Sequence, residues 1–170
     1  MAELGYSPSN PLKTEMATRA IAIYVDYASF VINELKQIGV EASLKQIETA
    51  QWHAFATRRE YGLGANLTGI GIDDPDANFY ENYACGSPRN YTGFCDEQLA
   101  KMVDTQSQEM DQKKRYALVA QIQKKLEEDA ARPMMGWRLD YFAQWPHVKN
   151  LVPHNNIYNF GRMQEVWLEK

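Results

Sequence analysis

Four side chains near the middle of the sequence, Trp52, Arg58, Arg59 and Asp73, have the types and spacing of a binding site for a small polar molecule. Trp52 and Arg59 are seven residues apart in a predicted short helix, so we expect them to share one helix face. Asp73 follows a predicted strand, at the edge where open α/β sheets tend to place ligands. A ring for stacking, a guanidinium for a carboxylate and a carboxylate for an amine would suit a zwitterionic or polar organic ligand.

The same residues also have a purely structural interpretation. It places Trp52 in the core, leaves the two arginines on a solvated helix surface, and makes Asp73 the cap of the next helix. The four residues by themselves favour the structural interpretation.

Recognisable catalytic motifs are missing from the sequence. There is no Gly-x-Ser-x-Gly elbow, and Gly69-Ile70-Gly71 is followed by an aspartate where a dinucleotide loop needs its third glycine. The acidic stretch 73–76 lacks the Gly and Glu positions of a calcium loop. We therefore predict no cofactor, no metal site and no catalysis. A small hydrolase that uses Asp73 with a second carboxylate is kept as an alternative.

Length and charge limit the class of protein. The chain has 170 residues, about one domain, with 45% apolar residues and a net charge of −4. No basic stripe is present to neutralise phosphates, so nucleic acid is not a predicted partner. The apolar runs are shorter than the ~20 residues of a membrane helix. The opening, 1–5, has neither the basic start nor the apolar run of a secretory signal, and we expect it to be the last turn of a truncated helix.

Hydrophobic periodicity predicts alternating strands and helices. Apolar residues at spacings of three and four predict a helix over 21–38 that Gly39 ends in a left-handed conformation. Alternation predicts a half-buried strand from Val40 to Leu44. The other predicted elements are strands at 11–18 and 61–72, a helix at 50–60 capped by Thr49, a helix start at 73–76, helices at 96–106 and 112–130, the latter capped by Asp111, and paired strands at 134–137 and 141–144. This order predicts an α/β or α+β domain with helices packed on a mixed sheet.

Several short stretches, in order along the chain, carry a resemblance to one family. They are Leu35-Lys-Gln-Ile-Gly-Val40, Glu48-Thr-Ala-Gln-Trp52, Asp73-Asp-Pro-Asp76 with Phe79, Asn90-Tyr-Thr-Gly-Phe94, Asp111-Gln-Lys-Lys-Arg115 and Val148-Lys-Asn150. The sequence resembles the extracytoplasmic solute-binding proteins of the peptide/nickel ABC transporter group, solute-binding family 5, from residue 3 to 168. No single stretch is diagnostic; their order and spacing carry the similarity.

The resemblance implies a fold, a location and partners. Members of this family are two-lobed periplasmic proteins of the type II-like, peptide-binding group. They clamp an oligopeptide, a dipeptide, a nickel chelate or a sugar between the lobes and deliver it to a membrane permease. This chain resembles the carboxyl-terminal lobe, so residues 1–170 are expected to form one domain with a core at about 1–150 and a tail at 151–170 that returns toward the missing amino-terminal lobe. A peptide is the expected ligand. A module that keeps the fold and binds only protein is the further alternative.

The resemblance also implies site residues. The position matching Asp73 holds the ligand's amino group in relatives, and the positions matching Trp52, Arg59 and the strand end Ile70-Gly71-Ile72 face the ligand. Ile70 stands where a tryptophan is common, and the segment between Asp73 and Pro75 is shortened.

Cys85 and Cys95 are ten residues apart in a stretch rich in Gly, Ser, Pro and Asn. Their spacing leaves free thiols and a disulfide equally open. Some relatives have a disulfide around an Asn-Tyr motif, and Asn90-Tyr91 lies between these cysteines, so the resemblance favours a bridge.

Overall fold

The computed structural model describes residues 1–69, 71–72, 74–137, 139, 141–152 and 164–169. The chain divides into two compact units, Met1–Thr68 and Gly69–Lys170. Among the described residues, no helix is both long enough and apolar enough to cross a lipid bilayer.

The first unit is an α/β unit built on three parallel strands. Its elements are a short 3-10 helix (Ala2–Leu4), β1 (Leu12–Arg19), α1 (Ala22–Gln37), β2 (Val40–Ile47), α2 (Thr49–Arg58) and β3 (Leu63–Gly64). The strand order is β2-β1-β3, and β1 is in register with β2 from Leu12 opposite Val40 to Arg19 opposite Ile47. The two strands therefore end at the same level.

Helix α1 covers the sheet with the face that its periodicity predicts. Ala28 is fully buried against Met16 of β1 and Ala42 of β2, and partly buried aliphatic side chains surround them. Gly39 has φ +80°, and a Cβ at this position would lie 2.8 Å from the backbone of Ser7. In this turn between α1 and β2, only glycine allows both this conformation and this close approach to the backbone of Ser7.

The second unit is mainly helical. It contains α3 (Pro75–Asn82), α4 (Glu97–Gln108), α5 (Gln112–Glu128) and an antiparallel pair formed by β4 (Val148–Lys149) and β5 (Trp167–Leu168). Its core is an apolar cluster made of Phe79, Leu99, Val103, Ile122, Leu126 and Ala131.

The long periodic elements are confirmed: β1, α1, α2, α4 and α5 begin and end within two residues of their predicted bounds. Gly5 (φ +81°) and Asp111 act as the predicted helix stop and helix cap. The predicted cap of α2 is wrong, because Thr49 is the first helical residue and Glu48 is the N-cap.

The strand predictions at 61–72, 134–137 and 141–144 are wrong for the described residues. The predicted strand 61–72 is reduced to Leu63–Gly64, since glycines at 62 and 64 offer little side chain for a strand to pack. The described residues of 134–137 and 141–144 form no strand, and two of their aromatic side chains, Trp137 and Tyr141, are more than four-fifths exposed. In place of the predicted mixed sheet, the described strands of the first unit are all parallel.

Candidate functional site

Two helices begin at the carboxyl edge of the parallel sheet in the first unit. Helix α1 begins three residues after β1, and α2 begins two residues after β2. The N-cap residues Ile21 and Glu48 make no side-chain capping hydrogen bond. The first backbone N–H groups of both helices therefore have no side-chain acceptor at this edge. Uncapped N–H groups at a helix start favour the binding of an anionic group.

Arg19, the last residue of β1, lies at the same edge with an unsatisfied donor. Its Nε is buried and has no hydrogen-bond acceptor among the described residues. Its Nη1 donates to the hydroxyl of Tyr24 at 3.1 Å, and the guanidinium lies 5.0 Å from the centre of that ring. Leaving a buried N–H of a charged group without an acceptor is costly, so this side chain is prepared for an acceptor from outside the described chain.

Trp52, in the first turn of α2, is expected from the resemblance to face a ligand, but its ring is buried. Its side chain is only 2% exposed, and its ring centre lies 6.1 Å from that of Phe55. The expectation of an open aromatic platform is therefore wrong, and the core interpretation is correct for the ring. Its indole Nε1 is nevertheless buried with no acceptor among the described residues. Contact of Trp52 with a ligand through this N–H stays a prediction.

The two arginines of α2 lie at the other end of the helix. Arg58 is exposed and pairs with Glu60 at 3.4 Å, and Arg59 is the exposed C-cap residue in a left-handed conformation (φ 58°). A ten-residue helix is about 15 Å long and leads away from the edge where it begins. Because Trp52 is buried and Arg59 is exposed, the two side chains do not form one open surface, and contact of Arg59 with a ligand stays a prediction.

The remaining predicted ligand residues belong to the second unit. Ile70 and Asp73 lie outside the described residues. Gly71 is half-buried in a bend, and Ile72 is 66% exposed. Their contact with a ligand stays a prediction.

Asp74 performs the capping role that the structural interpretation gave to Asp73. Its Oδ1 accepts a hydrogen bond from the backbone N–H of Asp76 at 2.9 Å, at the start of α3. The guanidinium of Arg115 donates to both of its carboxylate oxygens, which lowers the pKa of Asp74 below its ordinary value.

Cys85 and Cys95 form the disulfide that the resemblance favours, with their Cα atoms 4.9 Å apart. The loop between them is organised by Asn90, which is 1% exposed. Its Nδ2 donates to the carbonyl oxygens of Ala84 at 3.1 Å and Phe94 at 2.6 Å. These two hydrogen bonds hold the ends of the loop together, which gives Asn90 a structural role there.

The described residues offer an open groove and no metal-binding cluster. A shallow groove of about 710 Å³ beside the start of α4 is lined by side chains such as Phe94, Lys101 and Asp129. It contains neither of the two unsatisfied buried donors. No group of three or more His, Cys, Asp or Glu in this part of the chain is arranged to hold a metal ion.

Arg19 is the candidate that sequence reasoning missed. It is the residue that follows the predicted strand 11–18, and a helix pattern begins two residues later. A charged residue between a parallel strand and its helix is the signal that would have identified it.

Comparison with known proteins places the fold. No family model and no curated protein matches the sequence. Among solved structures, OppA from Burkholderia pseudomallei matches with a TM-score of 0.68 at 21% identity, over 76% of this chain and 26% of that chain. The chain has the fold of one lobe of a solute-binding protein.

Two further structures with this solute-binding fold were determined with ligands. NikA from Staphylococcus aureus, in complex with Ni(L-His)2, matches with a TM-score of 0.65 at 17% identity, over 76% of this chain and 28% of that chain. The ABC transporter-associated periplasmic binding protein DppA from Helicobacter pylori, in complex with the peptide STSA, gives 0.63 at 22% identity, over 72% and 25%. The chain spans about a quarter of the length of these proteins, and the resemblance seen in the sequence is confirmed for the fold.

Proposed function

We propose that this chain is the carboxyl-terminal lobe of a periplasmic solute-binding protein that captures a peptide and delivers it to the permease of an ABC importer. The fold shared with transport-associated binding proteins supports solute capture for such an importer. The amino-terminal lobe that would complete the cleft, and the membrane permease, are part of the proposal. The chain acts by binding and release, without catalysis.

The observation that carries the proposal is the unsatisfied guanidinium nitrogen of Arg19 at the carboxyl edge of the sheet. A carboxylate is the acceptor that best satisfies a guanidinium, and the uncapped starts of α1 and α2 favour negative charge at the same edge. The buried N–H of Trp52 is a second donor for the same ligand. We assign this edge to the terminal carboxylate of a short peptide.

A second contact, proposed from the family resemblance and independent of the first, is that of a peptide's ammonium group with the segment that opens the second unit. Asp73 would balance the ammonium group, and the backbone groups of Gly71 and Ile72 would orient the peptide. Arg59 keeps a possible secondary role toward an anionic side chain of the ligand, and Ile70 one as an apolar contact.

Carboxylate recognition can be tested with a peptide pair that differs only at the carboxyl terminus. Di- and tripeptides with a free carboxylate and their amides are titrated by calorimetry into the full-length protein, since one lobe supplies only part of the contacts. Amidation should weaken binding to the wild type about tenfold or more, because a charged hydrogen bond is lost. Arg19→Gln should bind both peptides with the weakened affinity.

Arg89→Gln is the matched control. Arg89 is an exposed arginine that pairs with Glu81 at 3.0 Å, so its replacement removes the same charge away from the sheet edge. This variant should keep the difference between acid and amide. Equal affinity of the wild type for both forms would contradict the assignment of Arg19, and absence of binding to any peptide would contradict the peptide as the ligand class.

A further inference from the structure

The start of α3 is held by two other helices through a network of polar side chains. Arg115 of α5 donates from Nη1 to Oδ2 of Asp74 at 3.0 Å and from Nη2 to Oδ1 at 2.7 Å. Asp74 is at the same time the N-cap of α3 through the backbone N–H of Asp76. The bidentate pair fixes both the position and the orientation of this carboxylate, because a planar fork matches only one arrangement of two oxygens.

Helix α4 completes the network from the other side. Gln106, which is fully buried, accepts from Nε of Arg115 at 3.2 Å and donates to Oδ1 of Asp76. Ser107 donates to Oδ2 of the same aspartate at 2.7 Å. The three nitrogens of the Arg115 guanidinium are thus all engaged, and both acidic residues in the first turn region of α3 are tied to side chains of α4 and α5.

This network is larger than capping alone requires. Asp111 caps α5 by accepting from the backbone N–H groups of Lys113 and Lys114, with no arginine attached. The apolar cluster that includes Phe79, Leu99 and Ile122 already holds α3 against its neighbours. The additional polar contacts therefore fix the position at which the chain enters α3, and not merely the presence of the helix.

That entry point follows directly on the residues assigned to the ligand. Asp74 is extended (φ −142°, ψ 136°) and comes two residues after Ile72 and three after Gly71. We infer that Arg115 is a positioning residue, which holds Asp74 and thereby fixes the segment 74–76 that begins α3, next to the Gly71 and Ile72 proposed to contact the ligand. This inference rests on the proposed function for the ligand contact, whereas the fixation of the segment is a property of the free protein.

The test compares two cations of α5 in the full-length protein. Arg115→Lys keeps the charge and loses the fork, while Lys125→Gln breaks the ion pair of a different helix cap, that of Asp96 at 2.8 Å. Hydrogen exchange followed by mass spectrometry reports on the peptide containing 71–76 and on peptides from α4 and α5. Calorimetry with a tripeptide reports affinity, and urea unfolding reports global stability.

We expect Arg115→Lys to accelerate exchange in 71–76 about tenfold while the centres of α4 and α5 stay protected. Tripeptide affinity should fall about tenfold. Lys125→Gln should leave both quantities unchanged whatever it does to the urea midpoint. A purely structural role of Arg115 would instead lower the urea midpoint without selective exchange at 71–76, and that result would overturn the inference.

The two proposals fail in different ways. If the wild type binds no peptide, the proposed function is contradicted, and the exchange measurement on the free protein still decides whether Arg115 fixes this segment. If peptides bind and Arg115→Lys binds them as tightly as Lys125→Gln does, the positioning role is contradicted and the proposed function is unaffected.

Discussion

The starts of α3 and α4 use the same device with a different cation. Each helix begins with an aspartate cap, Asp74 or Asp96, and each cap is paired with a cation of α5. Asp74 receives two hydrogen bonds from the fork of Arg115. Asp96 receives one contact from Lys125 at 2.8 Å, and the same ammonium also contacts Asp129 at 2.9 Å.

The two cations differ in whether they supply only charge or also a fixed hydrogen-bond geometry. An ammonium is a point charge that two carboxylates can share, so it stabilises a helix start without fixing its direction. A guanidinium fork fixes direction as well. The start of α4 is tethered instead by a covalent bond, because Cys95 immediately precedes Asp96 and is joined to Cys85. The start of α3 has only the polar network, and it follows the segment proposed to contact ligand.

The largest effect on stability is expected from removing the disulfide that precedes α4. Replacing both cysteines by alanine opens a short loop and should lower the free energy of unfolding by about 2–3 kcal/mol, since the unfolded chain gains conformational freedom. Urea unfolding of the wild type and of the double variant measures this change. Peptide affinity should stay within about twofold, because the loop contains none of the residues assigned to the ligand.

A reduced wild-type sample is the control for the cysteine substitutions, and it should unfold at the same urea concentration as the double variant. Equal stability with and without the bridge would show that Asn90 and the Asp96 cap hold the loop unaided. A marked loss of peptide affinity would place the start of α4 in the binding site and remove the contrast with α3.

A smaller effect is expected at the centre of the α3 network. Gln106→Leu keeps the approximate volume of a fully buried side chain but leaves Nε of Arg115 and Oδ1 of Asp76 without this partner. The expected loss is about 1–2 kcal/mol, because unsatisfied polar groups of partly exposed residues regain some water. Urea unfolding measures the loss.

Gln108→Leu is the matched control, since Gln108 is an exposed glutamine on the same helix. Its substitution should change stability by less than about 0.5 kcal/mol. A Gln106→Leu protein as stable as this control would mean that the network contributes no net stability and acts on geometry alone, which would sharpen the contrast between the two helix starts.

The sequence predicts the elements with long apolar periods and fails where packing or glycine decides. Helix α1 is readable because Ala28, Val31 and Leu35 repeat on one face and Gly39 ends it. The end of the strand predicted over 61–72 cannot be read from the sequence, because the alternation of Leu63 and Ala65 also fits an extended segment that pairs with β1 over two residues. Local alternation does not specify how many partner residues a strand finds.

Site prediction from sequence depends on which side chains are left without partners, and this is a tertiary property. Trp52 and Arg59 have suggestive types, yet one is buried and the other lies at the far end of α2. Arg19 has the local signal of a charged residue between a strand and a helix, but only the structure reveals its unsatisfied nitrogen. The Asp74–Arg115 pair spans 41 residues of sequence, beyond the reach of any local pattern.

The smallest expected effect is a difference in acid sensitivity between the two helix starts. Hydrogen bonds from Arg115 to Asp74, and from Lys125 to Asp96, hold the pKa of each carboxyl below its ordinary value of about 3.9. Because the folded pKa is the lower one, each pair stabilises the folded state above the unfolded pKa, and this stabilisation is lost as the pH falls through the folded pKa. Carbon-13 NMR of the aspartate carboxyl groups follows both titrations in one sample.

Arg115→Lys should raise the pKa of Asp74 toward the ordinary value, since the second hydrogen bond of the fork is lost, and leave the titration of Asp96 unchanged. Lys125→Gln should raise the pKa of Asp96 toward the ordinary value and leave the titration of Asp74 unchanged. Asp76 must be followed in the same spectra, because Arg115 lies 3.7 Å from it and Gln106 and Ser107 donate to it. If Arg115→Lys leaves the pKa of Asp74 where it is, a single ammonium holds this carboxylate as well as the fork does. The two helix starts would then differ only in the disulfide.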